Sequence, residues 1–210
     1  MYDVKELARA ERTQLATLLR SLTPEQWNAP SLCTGWTVRD VVAHMLSYEE
    51  LGAVELVRRL ARSRLQLDRA NDLGLADQSG LGPQQLIDLL DRNLEPRGLT
   101  SAFGGRVALV DGMVHQQDIR RPLGFPREIP ADRLEPALRF ARFAPPIGAS
   151  GRIHGLRLVA TDVDWATGRG PEIHGPGEAL LMAMAGRSGV TDELDGPGLA
   201  TLRSRIEPRI

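Results

Sequence analysis

Apolar residues recur at helical spacing through the first part of the chain. Over residues 3–22, Val4, Leu7, Ala8, Leu15, Leu18 and Leu19 share one stripe, which predicts an amphipathic helix. Thr23-Pro24-Glu25 opens a short turn or helix, with a capping residue followed by proline at the first helical position. After the loop NAPSLCTGW, Thr37-Val38-Arg39-Asp40 forms a capping-box variant with Asp where Glu or Gln is usual. It predicts a helix through Tyr48 and as far as Arg64. Pro83 precedes the helical stretch QQLIDLLDRNL, and Gly104-Gly105 leads into another over RVALVDGMVHQQDIR. Pro122, Gly124 and Pro126 break the chain, and Pro130 opens a last helix over ADRLEPALRFARFA.

Past PPIGASG the pattern changes. IHGLRLVATDVDW alternates in part, which predicts a strand; ATGRGP is turn-rich, and EIHG is a second candidate strand. GEALLMAMAG and GLATLRSRI close the chain as helices. The fold class expected is mainly α with a small α+β part: a helical domain over residues 1–148 and a small α+β domain over 149–210.

Composition narrows the function. With 42% hydrophobic and 25% charged residues and a formal net charge of −1, the chain is ordinary globular protein. It lacks the net positive charge on which nonspecific nucleic-acid binding rests. No apolar run approaches the ~20 residues that span a bilayer, and the N-terminal MYDVKELARAERTQ lacks a signal peptide's apolar segment. A single cysteine, Cys33, excludes an intrachain disulfide and fits a reducing cytoplasm. Aromatics are only 4%, so the core must rest on Leu, Val, Ile and Ala.

The four histidines are His44, His115, His154 and His174. At ~100° per residue, Asp111, His115 and Asp118 fall on one stripe, flanked by Val107 and Val114 on one side and Ala108 and Ile119 on the other. Gln116, Gln117 and Arg120 gather opposite, where solvent is expected. Buried ionisable groups are costly unless paired or metal-bound. Asp111 and His115, at i and i+4, can ligate one metal ion. A third ligand then comes from a facing helix, and His44 beside Val41 and Tyr48 is the candidate. Three such ligands leave a metal position open. The competing reading makes His44 a hydrogen-bonded histidine at a core edge and pairs both aspartates with arginines.

WNAPSLCTGWTVRDVVAHM resembles the N-terminal signature of the mycothiol-dependent maleylpyruvate isomerase family, which has a DinB-like four-helix bundle. The resemblance continues in DGMVHQQDIRRPLG, and GLRLVATDVDWATGRGPEIHGPGEALLMAMAGR is similar to that family's C-terminal domain. It implies a divalent metal, usually zinc, on His44, Asp111 and His115, with Asp118 as a partner behind the ligands. The family's carboxylate is typically Glu; Asp111, one methylene shorter, requires closer helices or weakens coordination. It implies mycothiol as cofactor, since metal coordination makes a bound thiol nucleophilic at neutral pH. The activity implied is thiol S-transfer to, or cis–trans isomerisation of, small electrophilic substrates, by a monomer or homodimer. The alternative is a non-catalytic binding protein whose metal site is lost or weakened.

Other residues carry paired readings. Tyr48, one turn beyond His44, is a proton donor or a core-edge tyrosine. Arg69 and Asn71 line a pocket for an acidic substrate or lie in solvent. Arg187 grips an anionic thiol or binds the last carbonyls of its helix. Cys33 is a reactive loop thiol or a small packing residue, Trp27 and Trp36 are packing anchors or ligand platforms, and His154 and His174 are read as structural. Gly112 permits close helix approach, at ~1 kcal/mol of helix propensity relative to Ala.

Overall fold

Asp3 starts the first helix by accepting the Lys5 N–H at 2.9 Å, and α1 runs Val4–Ser21. The computed structural model describes residues 3–49, 51–144 and 147–207; the two prolines of PPIGASG lie outside the described residues. Thr23 and Gln26 form a capping box that opens α2, Pro24–Trp27. A second box opens α3, Val38–Leu46. In it Asp40 substitutes fully for the usual Glu, accepting the Thr37 N–H at 2.9 Å while its own N–H donates to Thr37 Oγ1 at 3.2 Å.

The helix expected to continue to Arg64 is instead two helices. Helix α3 stops at Leu46, and α4, Ala53–Arg62, begins after an extended Gly52. Glycine's poor helix propensity makes it a natural place to change direction. Leu67–Gln78 forms α5 over a stretch with little apolar periodicity, and α6 spans Pro83–Arg92. After a 3-10 turn at Gly98–Ser101, α7 runs Arg106–Leu123 between Gly105 and Gly124, both in the left-handed region. Pro122 therefore lies inside the last turn of α7 rather than after it.

Helices α1, α7, α3 and α6 close a ring in which each packs against two of the others. Their shared core is aliphatic, as the low aromatic content requires: Leu15, Leu19, Val41, Val42, Leu86, Leu90 and Ile119 are buried together.

The chain divides into two compact units, Met1–Pro126 and Arg127–Ile210. The division thus falls earlier than the expected 148, because α8, Ala131–Ala141, packs against α10, Gly177–Met184, in the second unit. The second unit also holds α9 (Ala149–Arg152), α11 (Leu199–Ile206) and a three-stranded sheet. Its strands are β1, Arg157–Ala160, β2, Ala166–Gly168, and β3, Glu172–Gly175, in the order β2-β1-β3. The first pair is antiparallel and the second parallel. Strand β2 lies in the segment expected to be only a turn. Apart from Glu178 in its first turn, helix α10 is apolar and buried, as a core helix should be. Among the described residues, no helix is long and apolar enough to cross a membrane.

Candidate metal centre

Packing of α3 against α7 brings His44 to His115, their ring centroids 5.1 Å apart and the rings nearly perpendicular at 82°. One turn before His115, Asp111 places Oδ1 3.5 Å from His115 Nε2. One donor atom from each of His44, Asp111 and His115 lies within 4.8 Å of the other two. Trp36 packs against the His44 ring at 5.0 Å between centroids, and Tyr48 meets it edge-on at 6.3 Å. Both histidines are buried, whereas the Asp111 side chain keeps 32% of its surface exposed.

His115 donates its Nδ1–H to Asp118 Oδ2 at 2.9 Å, and Asp118 is fully buried. That bond fixes the tautomer and turns Nε2 toward Asp111, the arrangement by which carboxylates orient metal-binding imidazoles. Burial opposes a charge on His115, but the Asp111 carboxylate and the side chains of Asp118 and Cys33 outweigh it, so its pKa is pushed up to about 10. Burial raises the Asp111 carboxyl above its usual range, against the attraction of His115 and Arg12. Without metal, a proton held on His115 balances the acidic groups beside it.

The donors fit a small divalent cation. Two nitrogen or oxygen ligands at ~2.0–2.1 Å from a tetrahedral ion stand ~3.3 Å apart, close to the 3.5 Å between His115 Nε2 and Asp111 Oδ1. The shorter Asp side chain therefore still reaches its partner. Gly112 does permit a close approach, but to α1: a Cβ there would come within 3.3 Å of Glu11 Cγ. It tightens the α1–α7 contact, not the one between α7 and α3.

Two expectations about α7 need correction. Gln116 and Gln117 are buried, not solvated. Helix α7 packs against both α1 and α3, so a face opposite the metal stripe meets protein. Gln116 Nε2 donates to the Glu11 carbonyl at 3.2 Å and to Glu11 Oε1 at 3.1 Å. Half-buried Arg120 then donates to Gln116 Oε1 at 3.0 Å.

Among the remaining candidates, Tyr48 donates its hydroxyl to Asn71 Oδ1 at 2.9 Å, under the Arg59 guanidinium 5.0 Å from its ring. Burial raises the phenol's pKa, with Arg59 pulling the other way. Arg69 is exposed on α5. Arg187, in the second unit, donates to the Ala185 carbonyl at 2.8 Å, where α10 ends. In the same unit His174 meets Glu172 at 2.9 Å, and the His154 carbonyl accepts from Arg205 at 2.7 Å.

Sequence reasoning missed two groups. Arg12 forms a two-stranded ion pair with Glu49, at 2.5 and 3.0 Å, both side chains buried. The signal was present: Arg12 stands between Ala8 and Leu15 on the apolar stripe of α1. Cys33 points its thiol at Asp118 Oδ2, 3.1 Å away, and so belongs to the surroundings of His115. Nothing in the local pattern marks that contact.

Two histidines and a carboxylate thus converge between adjacent helices of the bundle, a donor set of the kind that can hold a metal in a bundle core. Residues 8–97 match the family model described as mycothiol maleylpyruvate isomerase N-terminal domain, so the resemblance read from the sequence is borne out over that stretch. Two solved structures are similar across nearly the whole chain. One is a crystal structure of a histidine-to-alanine mutant of the mycothiol-dependent maleylpyruvate isomerase, with TM-score 0.61 and 16% identity, covering 92% of this chain and 91% of that one. The other, a crystal structure of the mycothiol-dependent maleylpyruvate isomerase, has TM-score 0.53 at the same identity and coverage. At this identity they establish the fold: a helical bundle with a small α+β part. No curated protein matches the sequence.

Proposed function

We propose that His44, Asp111 and His115 hold a divalent cation, zinc foremost, in an enzyme that uses mycothiol on small electrophilic substrates. The observation that carries this reading is the convergence of the three donors within 4.8 Å, with the His115 ring held by Asp118. A bound divalent ion there lowers the pKa of a coordinated thiol and makes it nucleophilic at neutral pH. The two imidazoles bind in their neutral form, and Asp111 offsets part of the ion's charge. Asp118 keeps the His115 proton on Nδ1, so that Nε2 is the ligating atom. Trp36 packs on His44 and limits its ring motion. Tyr48, kept protonated by burial and directed to Asn71, is the proposed proton donor. Arg69, on the same unit, is the proposed partner for an anionic group of the thiol or substrate.

The family match and the fold support an isomerase-like enzyme, and the same site serves thiol S-transfer equally. One observation favours a second reading, a binding protein with a weakened site: the shorter Asp111 stands where the family has Glu. Metal analysis of protein from metal-replete expression separates the two. One ion per chain, lost in His44→Ala and His115→Ala, is expected. A substoichiometric content that neither substitution changes would sink the metal-dependent reading. Incubation with mycothiol and a panel of electrophiles then assigns the reaction: a thiol adduct as final product marks transfer, and an isomer with mycothiol regenerated marks isomerisation.

A further inference from the structure

The other nitrogen of the His115 ring faces a second set of donors. Cys33 Sγ lies 3.1 Å from Asp118 Oδ2 and 3.9 Å from His115 Nδ1, and Nδ1 is 2.9 Å from that same carboxylate oxygen. Thiol, imidazole and carboxylate thus form a triangle unlike the first site, which has no sulfur. A tetrahedral divalent ion with sulfur at ~2.3 Å and nitrogen and oxygen at ~2.0–2.1 Å sets S···N and S···O edges of ~3.5 Å and an N···O edge of ~3.3 Å. Each observed edge departs from these by only about 0.4 Å.

The triangle is also held from behind. Leu32 donates its N–H to the Asp118 carbonyl at 3.0 Å, fastening the Cys33 loop to α7. Within the loop, Cys33 N–H donates to Ser31 Oγ at 3.1 Å, and the Cys33 carbonyl accepts the Trp36 N–H at 2.9 Å. Asp118 and His115 are buried while Cys33 is half-buried, which gives an ion an approach from the cysteine side.

We infer that Cys33, His115 Nδ1 and Asp118 form a second cation position, suited to a thiophilic divalent ion and sharing the His115 ring with the first. A thiolate and an imidazole select soft or borderline ions over hard ones such as magnesium. Binding releases two protons, one from the thiol and one from Nδ1. Sulfur, nitrogen and oxygen lone pairs form the bonds to the ion, and no electron is transferred. With Nδ1 on the ion, the ring's remaining proton stays on Nε2, the atom the first position needs. The two positions therefore compete for one imidazole, and a thiophilic ion at the second disables the first. The inference does not depend on the first position being catalytic.

The test is a cadmium titration of the metal-stripped full chain, followed by thiolate-to-metal charge-transfer absorbance and by cadmium NMR. The expected result is a band saturating at one equivalent and a resonance typical of one sulfur among nitrogen and oxygen donors. His44→Ala, which removes only the first position, retains both signals; its zinc content separately reports on the proposed function. Asp118→Ala and His115→Ala weaken cadmium binding about tenfold or more, with circular dichroism confirming the fold. A wild-type resonance typical of nitrogen and oxygen donors alone, with no charge-transfer band, would overturn the inference. So would an isotherm unchanged in both variants, since the thiol would then bind by itself. If neither variant folds, the wild-type resonance decides.

Discussion

Leu32 donates its backbone N–H to the carbonyl of Asp118 at 3.0 Å, the acceptor that Pro122, four residues further along α7, does not use. A proline inside a helix removes one N–H donor, and its ring pushes the carbonyl four residues back away from the axis. Here that carbonyl is turned to another purpose. It ties the loop of Cys33 to the helix turn that carries His115 and Asp118. A residue that reads as a chain break thus contributes to the architecture of the candidate metal centre.

Replacing Pro122 by Ala restores a competing donor to Asp118. The Leu32 amide then loses part of its hydrogen bond, worth ~1 kcal/mol, and its hydrogen exchange quickens several-fold while α7 itself becomes more stable. Amide exchange resolved by NMR reads both effects in one sample. Unchanged protection at Leu32 would mean that the carbonyl accommodates both donors.

Asp118→Asn tests the support behind His115. The amide keeps the carboxylate's shape and still accepts one hydrogen bond, so the bundle stays folded. It loses the charge that holds the Nδ1 proton and strengthens the ligand, and metal affinity falls about 10- to 100-fold. Competition against a chelator of known affinity measures it, with thermal unfolding of the metal-free proteins as the control. Equal affinities would show that ring orientation does not depend on the carboxylate's charge.

What the sequence discloses here is what short-range chemistry determines. The Thr37–Asp40 box, the α1 stripe and the i, i+4 pair of Asp111 and His115 all depend on neighbours within a turn or two, and all form as expected. The contact of His44 with His115 follows from the family resemblance more than from spacing, since no local rule decides which helix faces α7. Burial of Gln116 was hidden for the same reason: its partner Glu11 lies 105 residues away. Helix α5 and strand β2 were missed because neither has a clear apolar period, and their surroundings decide their conformation.

Protons compete with metal at the first position. Because the His115 pKa is pushed up to about 10 from 6.5 in the metal-free protein, an ion at Nε2 must displace a proton throughout the neutral range. Apparent affinity then rises about tenfold per pH unit and levels off as pH approaches that pKa. Asp111, whose carboxyl is also raised by burial, steepens the acid side. The metal-free chain follows the opposite course. A folded pKa above the unfolded one contributes stability that is complete below about 6.5 and is lost as pH climbs toward 10. Chelator competition and urea unfolding over one pH series should therefore slope in opposite directions.

Arg12 and Glu49 supply the last prediction, because their burial makes the pair consequential. Arg12 Nη2 meets Glu49 Oε1 at 2.5 Å and Nη1 meets Oε2 at 3.0 Å, with side chains 6% and 0% exposed. Arg12 also donates to the Asn93 carbonyl and to Thr100 Oγ1, and the Arg97 N–H donates to Glu49 at 3.3 Å. The network therefore joins α1 to the segments that end α3 and follow α6. Arg12→Met keeps the volume but leaves Glu49 charged in the interior without its guanidinium, while the Arg97 amide still donates to it, at a cost of ~3–5 kcal/mol. Adding Glu49→Leu removes that orphaned charge and recovers most of the loss, since apolar replacement of a whole buried pair is often close to neutral. Asp111 feels both the positive charge of Arg12 and the negative charge of Glu49, so the single variant should raise the Asp111 pKa further and weaken metal binding, and the second substitution, which removes a charge that also raises that pKa, restores part of it. Urea unfolding of the metal-free proteins isolates the first effect, and metal affinity the second. A double variant no more stable than Arg12→Met would show that the remaining partners of Arg12, not its charge balance with Glu49, set the cost.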